Sequence, residues 1–329
     1  MVNNGHNGNQ TPSRGVIPGE MQRTTAIALL MALWVAPGIE GQTKDPEKGA
    51  ALLAEARTAV GGDERLRAIR TLDVRGEFKR LAGQATIEGE LQVRLELPGK
   101  LRRDEDLSPP GGGPAIVRTE VLNGAAVWDE NSGGGRMFMG RFGGGGRGGP
   151  GGAPGGAPGG DAQGGGRAQI DPAQLEDAQR RARQTELARY TLIWLLTSDG
   201  QVAWIGTAEA PDGKADVVEI TPAAGPVMRL FLDASSHLPL MVTWQGAAPQ
   251  VMIAGRGGRG EGRGDAPAGG RGPGGPPATL RLTLADYKAV GGVKLPHLMT
   301  RGANDMTLEE WTVDSYRINP TFRADVFSK

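Results

Sequence analysis

The chain contains no cysteine. Disulfides, thiolate-ligated zinc, iron–sulfur clusters and thiol nucleophiles are therefore excluded. Histidine is almost absent: His6, His237 and His297 are the only three in 329 residues. That count leaves no basis for a site built on several imidazoles. Neither sign of charge dominates, with 37 basic and 37 acidic residues. Nucleic-acid-binding chains are as a rule basic overall, so the balance argues against that class of partner. No apolar run is long enough to cross a bilayer comfortably.

Glycine and proline are abundant, at 55 and 23 residues, but the excess is concentrated in two tracts. The first spans about 133–168 and the second about 254–277. Such composition cannot bury enough apolar surface to offset its ordering entropy, so both read as disordered insertions. Met137, Phe138 and Phe142 are apolar exceptions that could dock. Arg256, Arg259 and Arg263 give the second tract an RGG-like character, a pattern that binds RNA flexibly. The overall charge favours instead a loop with some affinity for anionic headgroups.

Residues 1–42 read as an N-terminal extension followed by a secretory signal. Arg23 supplies the positive charge, Ala26 to Ala36 the apolar stretch, and Pro37-Gly38 the break before a cleavage point near Gly41. A buried core helix is the alternative, and the flanks disfavour it. The polar segment before Met21 leaves two possible starts, Met1 and Met21. No cysteine follows the apolar stretch, so a lipid anchor there is excluded. The mature chain is expected to be a periplasmic or otherwise extracytoplasmic protein that does not span the membrane.

The mature chain reads as one domain over 43–329. Asp45 to Val60 is patterned as an amphipathic helix, with Pro46 in its first turn and Gly61-Gly62 after its end. A short helical turn is expected over Glu64 to Ala68. About five strands follow between Ile69 and Asp129, with turns at Ala82 to Gln84, at Pro98-Gly99 and at Asn123-Gly124. Asp171-Pro172 opens a long helix to about Thr197, with Asp171 as its cap. Its C-terminal half, Leu187 to Leu196, is apolar nearly all round and should be deeply buried. About seven strands come next. One hairpin among them is especially clear: Leu280, Leu282 and Leu284 alternate with Arg281, Thr283 and Ala285. Gly291-Gly292 turns the chain, and Pro296 marks an edge or a bulge. Short turns between successive strands make the sheet antiparallel. The expected class is α+β: one large curved antiparallel sheet with helices on its concave face.

Motifs along this frame resemble the LolA/LolB-like family of periplasmic lipoprotein carriers, in an uncharacterised branch. They are Ala59-Val-Gly-Gly62 before Leu66-Arg-Ala-Ile69, a strand ending in Gly76, and Asn123-Gly124 with Trp128. Leu230-Phe-Leu-Asp233 before Leu238-Pro239 continues the series. Asp286-Tyr287 with Gly292-Val-Lys-Leu-Pro296, and Asn319-Pro320 with Phe327, complete it. The resemblance implies a half-barrel of about eleven strands with an acyl-chain-sized cavity. It covers most of 45–329 outside the two tracts. The family's carriers use an arginine under a lid, and no arginine here matches it.

Trp128, Trp204, Trp244 and Trp311 fall on strands, and Leu192 and Leu195 on the long helix. Together they could line a cavity between helix and sheet. Ordinary core packing is the alternative for each. Glu309-Glu310 and Asp104-Glu105-Asp106 are expected on solvated surface, since adjacent strand residues point to opposite faces. His297 is expected at a strand-end surface. No Gly-x-Ser-x-Gly elbow and no phosphate-cradling Gly-Lys-Ser/Thr loop occurs. The expected function is non-enzymatic binding of a lipid or a lipoprotein acyl chain, with no cofactor and no metal. An envelope structural or interaction protein without a small ligand is the alternative.

Overall fold

The computed structural model describes residues 43–82, 85–108, 116–132, 171–210, 213–223, 225–247 and 277–329. The chain divides into Met1–Ala32, none of which is among them, and Leu33–Lys329. The signal segment, the 133–168 tract and all but the last residue of the 254–277 tract lie outside the described residues.

Two helices open this part, α1 (Pro46–Val60) and α2 (Asp63–Arg67). Asp45 caps α1 by accepting the Lys48 N–H at 2.9 Å. Leu52, Leu53, Ala56 and Val60 form its buried stripe. Gly49 lies on that stripe, where a Cβ would come within 2.5 Å of the Trp204 backbone nitrogen. Only glycine lets the helix lie that close to the sheet.

Five strands follow: β1 (Thr71–Ala82), β2 (Ala85–Glu96), β3 (Lys100–Ser108), β4 (Ile116–Asn123) and β5 (Ala126–Ser132). The long helix α3 (Pro172–Leu195) separates them from seven more. These are β6 (Gln201–Ala210), β7 (Gly213–Thr221), β8 (Met228–Asp233), β9 (Pro239–Ala247), β10 (Pro277–Val290), β11 (Val293–Ala303) and β12 (Met306–Ile318). The hairpin pattern thus predicts the twelve strands that are present, one more than the family resemblance implies.

All twelve belong to one sheet, in the order β5-β4-β3-β2-β1-β12-β11-β10-β9-β8-β7-β6. Every neighbouring pair is antiparallel. The sheet is therefore two meanders joined where the first strand meets the last, with Leu72 opposite Ile318 and Phe78 opposite Trp311. Among the described residues, this seam joins strands far apart in the chain, whereas every other neighbouring pair is consecutive along it. Its outer edges are β5 and β6. Asp45 exchanges backbone hydrogen bonds with Trp204 on β6, at 3.0 and 2.8 Å, and so partly covers that edge.

Turn chemistry fixes the hairpins. Gly291 and Gly292 have φ of 57° and 83°, the left-handed values a two-residue turn between β10 and β11 requires. Pro296 pairs with Tyr287 on β10, while the β11–β12 ladder begins only at Leu298. Its missing N–H is lost where no second neighbour asks for it. The Asp233 carboxylate accepts the backbone N–H groups of Ser235 and Ser236 at 3.2 and 2.7 Å and closes the next turn.

The helices cover one face of the sheet, here called the inner face. Asp171 caps α3 by accepting the Ala173 N–H at 3.0 Å, and Leu196, with φ of 49°, ends it. Arg57 of α1 donates twice to the Leu196 carbonyl, at 3.1 and 3.0 Å, and fastens the two helices together. Leu187, Leu192, Ile193, Trp194 and Leu195 are buried in one core with residues of α1, α2 and most of the strands. No helix of the described residues is long and apolar enough to cross a membrane.

Candidate binding cavity

The inner face changes character along each central strand. On β3, Leu101, Arg103 and Glu105 share the inner face by the two-residue strand period. On β4 their partners are Leu122, Glu120 and Arg118. On β1, Phe78 is followed by Arg80, and on β12 Trp311 is preceded by Glu309, which faces Arg80 across the seam. On β11, Met299 is followed by Arg301, opposite Glu309. One end of the face is thus aliphatic and aromatic. The other end is arginine and glutamate, arranged in cross-strand pairs of opposite sign.

The middle of α3 lies over the charged end and adds Arg183, Glu186, Arg189 and Tyr190. Between helix and sheet is a cavity of about 700 Å³. Six arginines (80, 103, 118, 183, 189 and 301) and three glutamates (105, 120 and 186) line it. Its other wall, on β9, β10 and β12, is Trp244, Leu280, Leu282 and Trp311.

Arg103 is the hub. It is 4% exposed. Its guanidinium donates to Glu105 at 2.9 Å, to Glu186 at 2.9 Å and to the Tyr190 hydroxyl at 3.0 Å. It also lies 5.0 Å over the Trp311 ring. Tyr190 passes its own proton toward Glu186 at 2.6 Å. Arg80 holds Glu105 with two nitrogens, at 2.7 and 3.1 Å, and reaches Glu309 at 2.7 Å. Arg183 ties Glu120, Glu186 and Asp129 together at 2.8, 3.3 and 3.0 Å. Arg118 closes the row on Glu120.

The pairing sets the protonation states. Burial alone would raise Glu105 and Glu186, but the guanidinium of Arg103 with that of Arg80 or Arg183 outweighs it, and both carboxyls fall to about 2. Glu309 is lowered in the same way, its burial outweighed by Arg103, Arg80 and Arg301. Glu120 goes the other way: burial and then the adjacent Glu186 push it up against Arg118 and Arg183. Arg189 is the outlier among the cations. Burial, partly offset by Glu186 and reinforced by Arg301, brings it down to about 10.

Acids held ionised by arginine are poor proton donors. Among the described residues no group of three or more His, Asp or Glu could hold a metal ion. The arrangement is suited to binding charge, with an apolar wall alongside.

The sequence-predicted lining residues are scattered. Trp244 and Trp311 stand on the cavity wall. Leu192 and Leu195 are buried in the filled apolar end. Trp204 lies under the Lys48 ammonium, 3.4 Å from its ring centroid, and donates to Asp216 at 2.9 Å. Trp128 is half-buried on the edge strand β5, opposite Val121.

Two expectations are overturned. Glu105 and Glu309 are not solvated surface; they are 2% and 3% exposed. The adjacency rule was sound, because only alternate residues face inward, but the inward ones met arginines rather than water. His297 is not at a surface either. It is 7% exposed within β11, with Nδ1 3.0 Å from the Leu295 carbonyl and its ring edge-on to Tyr316. The signal for the cavity was present in Leu101-Arg-Arg-Asp-Glu105, where Arg103 and Glu105 continue the inward period of Leu101.

No family model matches the chain, and no curated protein matches it. Solved structures do. The chain is similar to a LolA-superfamily protein from Nitrosomonas europaea. That match has 10% identity and a TM-score of 0.43, covering 85% of this chain and 97% of the other. A domain assigned to outer-membrane lipoprotein sorting, from Vibrio parahaemolyticus, matches at 12% identity and a TM-score of 0.41, covering 86% and 97%. A DUF1329 family protein from Desulfovibrio piger matches at 8% identity and a TM-score of 0.39, with the same coverage. At these scores the LolA-like similarity carries no function, which has to come from the cavity itself.

Proposed function

We propose that residues 43–329 form one exported, periplasmic domain that binds a lipid or a lipoprotein acyl chain without catalysis. The 1–42 segment would direct export, and the two glycine-rich tracts would be insertions in that domain. The cavity of about 700 Å³ between α3 and the sheet carries this reading. Its volume falls within the usual range of small-ligand sites. Its apolar wall of Trp244, Leu280, Leu282 and Trp311 would receive the chain, while water leaves at roughly 25 cal/mol per Å² buried. The arginine-locked carboxylates favour binding over acid–base chemistry.

The apolar end of the inner face supports a second reading, an envelope interaction protein without a small ligand. That end is filled by Leu192, Trp194 and Leu195, so only the charged end offers space. Native mass spectrometry of protein purified from its own envelope separates the two. Co-purified lipid is the expected result. Lipid-free protein that also ignores acylated peptide would remove the carrier reading and leave the interaction protein.

A further inference from the structure

Arg189 and Arg301 are the cations of the cavity that the network does not satisfy. Among the described residues Arg189 forms no ion pair, and its buried Nε has no hydrogen-bond acceptor. Its guanidinium lies 4.2 Å over the Trp244 ring, which leaves the donor edge of the fork unused. Arg301 reaches only Glu309, at 3.6 Å, and that carboxylate already serves Arg80 and Arg103. The two cations are close enough for Arg301 to disfavour the charge on Arg189. Two like charges facing one cavity, with six arginines against three glutamates in its lining, leave room for an anion. Next to them stand Trp244, Leu280 and Leu282, an apolar surface that a bare inorganic anion has no use for.

We infer that Arg189 and Arg301 form a headgroup site for an anionic amphiphile. A carboxylate or phosphate head would take the unused guanidinium donors, and its alkyl chain would lie on Trp244, Leu280 and Leu282. This rests on the acyl-chain reading above and names the head that goes with the chain.

Calorimetric titration of the whole protein tests it, with dodecanoate, dodecyl phosphate, dodecanol and inorganic phosphate as probes. The two charged amphiphiles should bind more tightly than dodecanol. R189Q and R301Q should each weaken them roughly tenfold to a hundredfold, the worth of a charge-assisted hydrogen bond, and leave dodecanol unchanged. R189K should keep part of the affinity, which separates lost charge from lost fold. Dodecanol binding as well as dodecanoate, with R189Q indifferent, would overturn the headgroup site and leave acyl binding standing. Failure of every dodecyl probe would overturn acyl binding and this inference with it. Inorganic phosphate binding as tightly as dodecyl phosphate would make the site one for free anions and overturn the amphiphile.

Discussion

Leu101 and Glu105 share one face of β3, a few residues apart, and are equally buried. Leu101 belongs to the apolar core with Leu95 and Leu122. Glu105 is held by Arg80 and Arg103. The two ends of the inner face therefore reach the same burial by different physics. Apolar packing is non-directional and rewards area removed from water. A buried ion network holds only if every member is matched, since each unpaired charge is costly. The apolar end can be filled by the helices and closed. The charged end cannot be closed by side chains of fixed geometry without leaving charge over, and that is where the cavity remains.

The contrast can be broken most forcefully at Arg103. Replacing it with methionine leaves Glu105, Glu186 and Glu309 short of a partner and should cost about 3–5 kcal/mol at neutral pH. Leu101→Ala, the neighbour on the same face, should cost about 2–5 kcal/mol. Urea unfolding at two pH values distinguishes them. The Arg103→Met cost should shrink in acid, as the stranded carboxyls gain protons, and the Leu101→Ala cost should not. Equal pH dependence would mean that the two ends do not differ as described.

The wild-type protein should also lose stability in acid. Glu105 and Glu186 have folded values of about 2, below the ordinary carboxylate value of 4.5. A lowered folded value gives stability that is present above the unfolded value and lost as pH falls through the folded one. The loss should therefore run from about pH 4.5 down to about pH 2. Glu105→Gln should flatten that slope, and thermal melts across the window would show it. An unchanged slope would count against the pairing of Glu105 with the arginines.

Glu120 should act with the opposite sign and a smaller size. Its folded value is raised, so its contribution is complete below the unfolded value and declines as pH rises through the folded one. Glu120→Gln should remove that decline, leaving a flatter melting profile above about pH 4.5. The smallest effect belongs outside the cavity. Lys48→Ala should cost about 0.5–1 kcal/mol by removing the ammonium from Trp204, with a change in tryptophan fluorescence.

Much of the fold was legible. Turn residues at Asn123-Gly124 and Gly291-Gly292 and strict alternation in β2 and β10 reported strand number and direction. Asp171-Pro172 reported where α3 begins. These are local signals, set within a few residues by backbone sterics and side-chain period. The site was less legible. Trp244 and Trp311 carried a visible signal as strand aromatics, and so did Trp128 and Trp204, which are elsewhere. Glu105 and Glu309 looked like surface because charge ordinarily belongs there. Whether a charged residue is buried depends on its partner, and Glu309 comes from β12, 206 residues from Arg103.

The sequence by itself determined an antiparallel α+β chain, its helix ends, its hairpins and the exclusion of thiol chemistry, because each follows from local geometry or from composition. Only the tertiary structure decided that β1 pairs with β12 across the middle of the sheet. That seam brings Arg80 to Glu309, and α3 then brings Glu186 and Arg189 over them. The reason is that pairing partners and burial are set by distance in space. The sequence records only which residues could pair, and the fold decides which of them do.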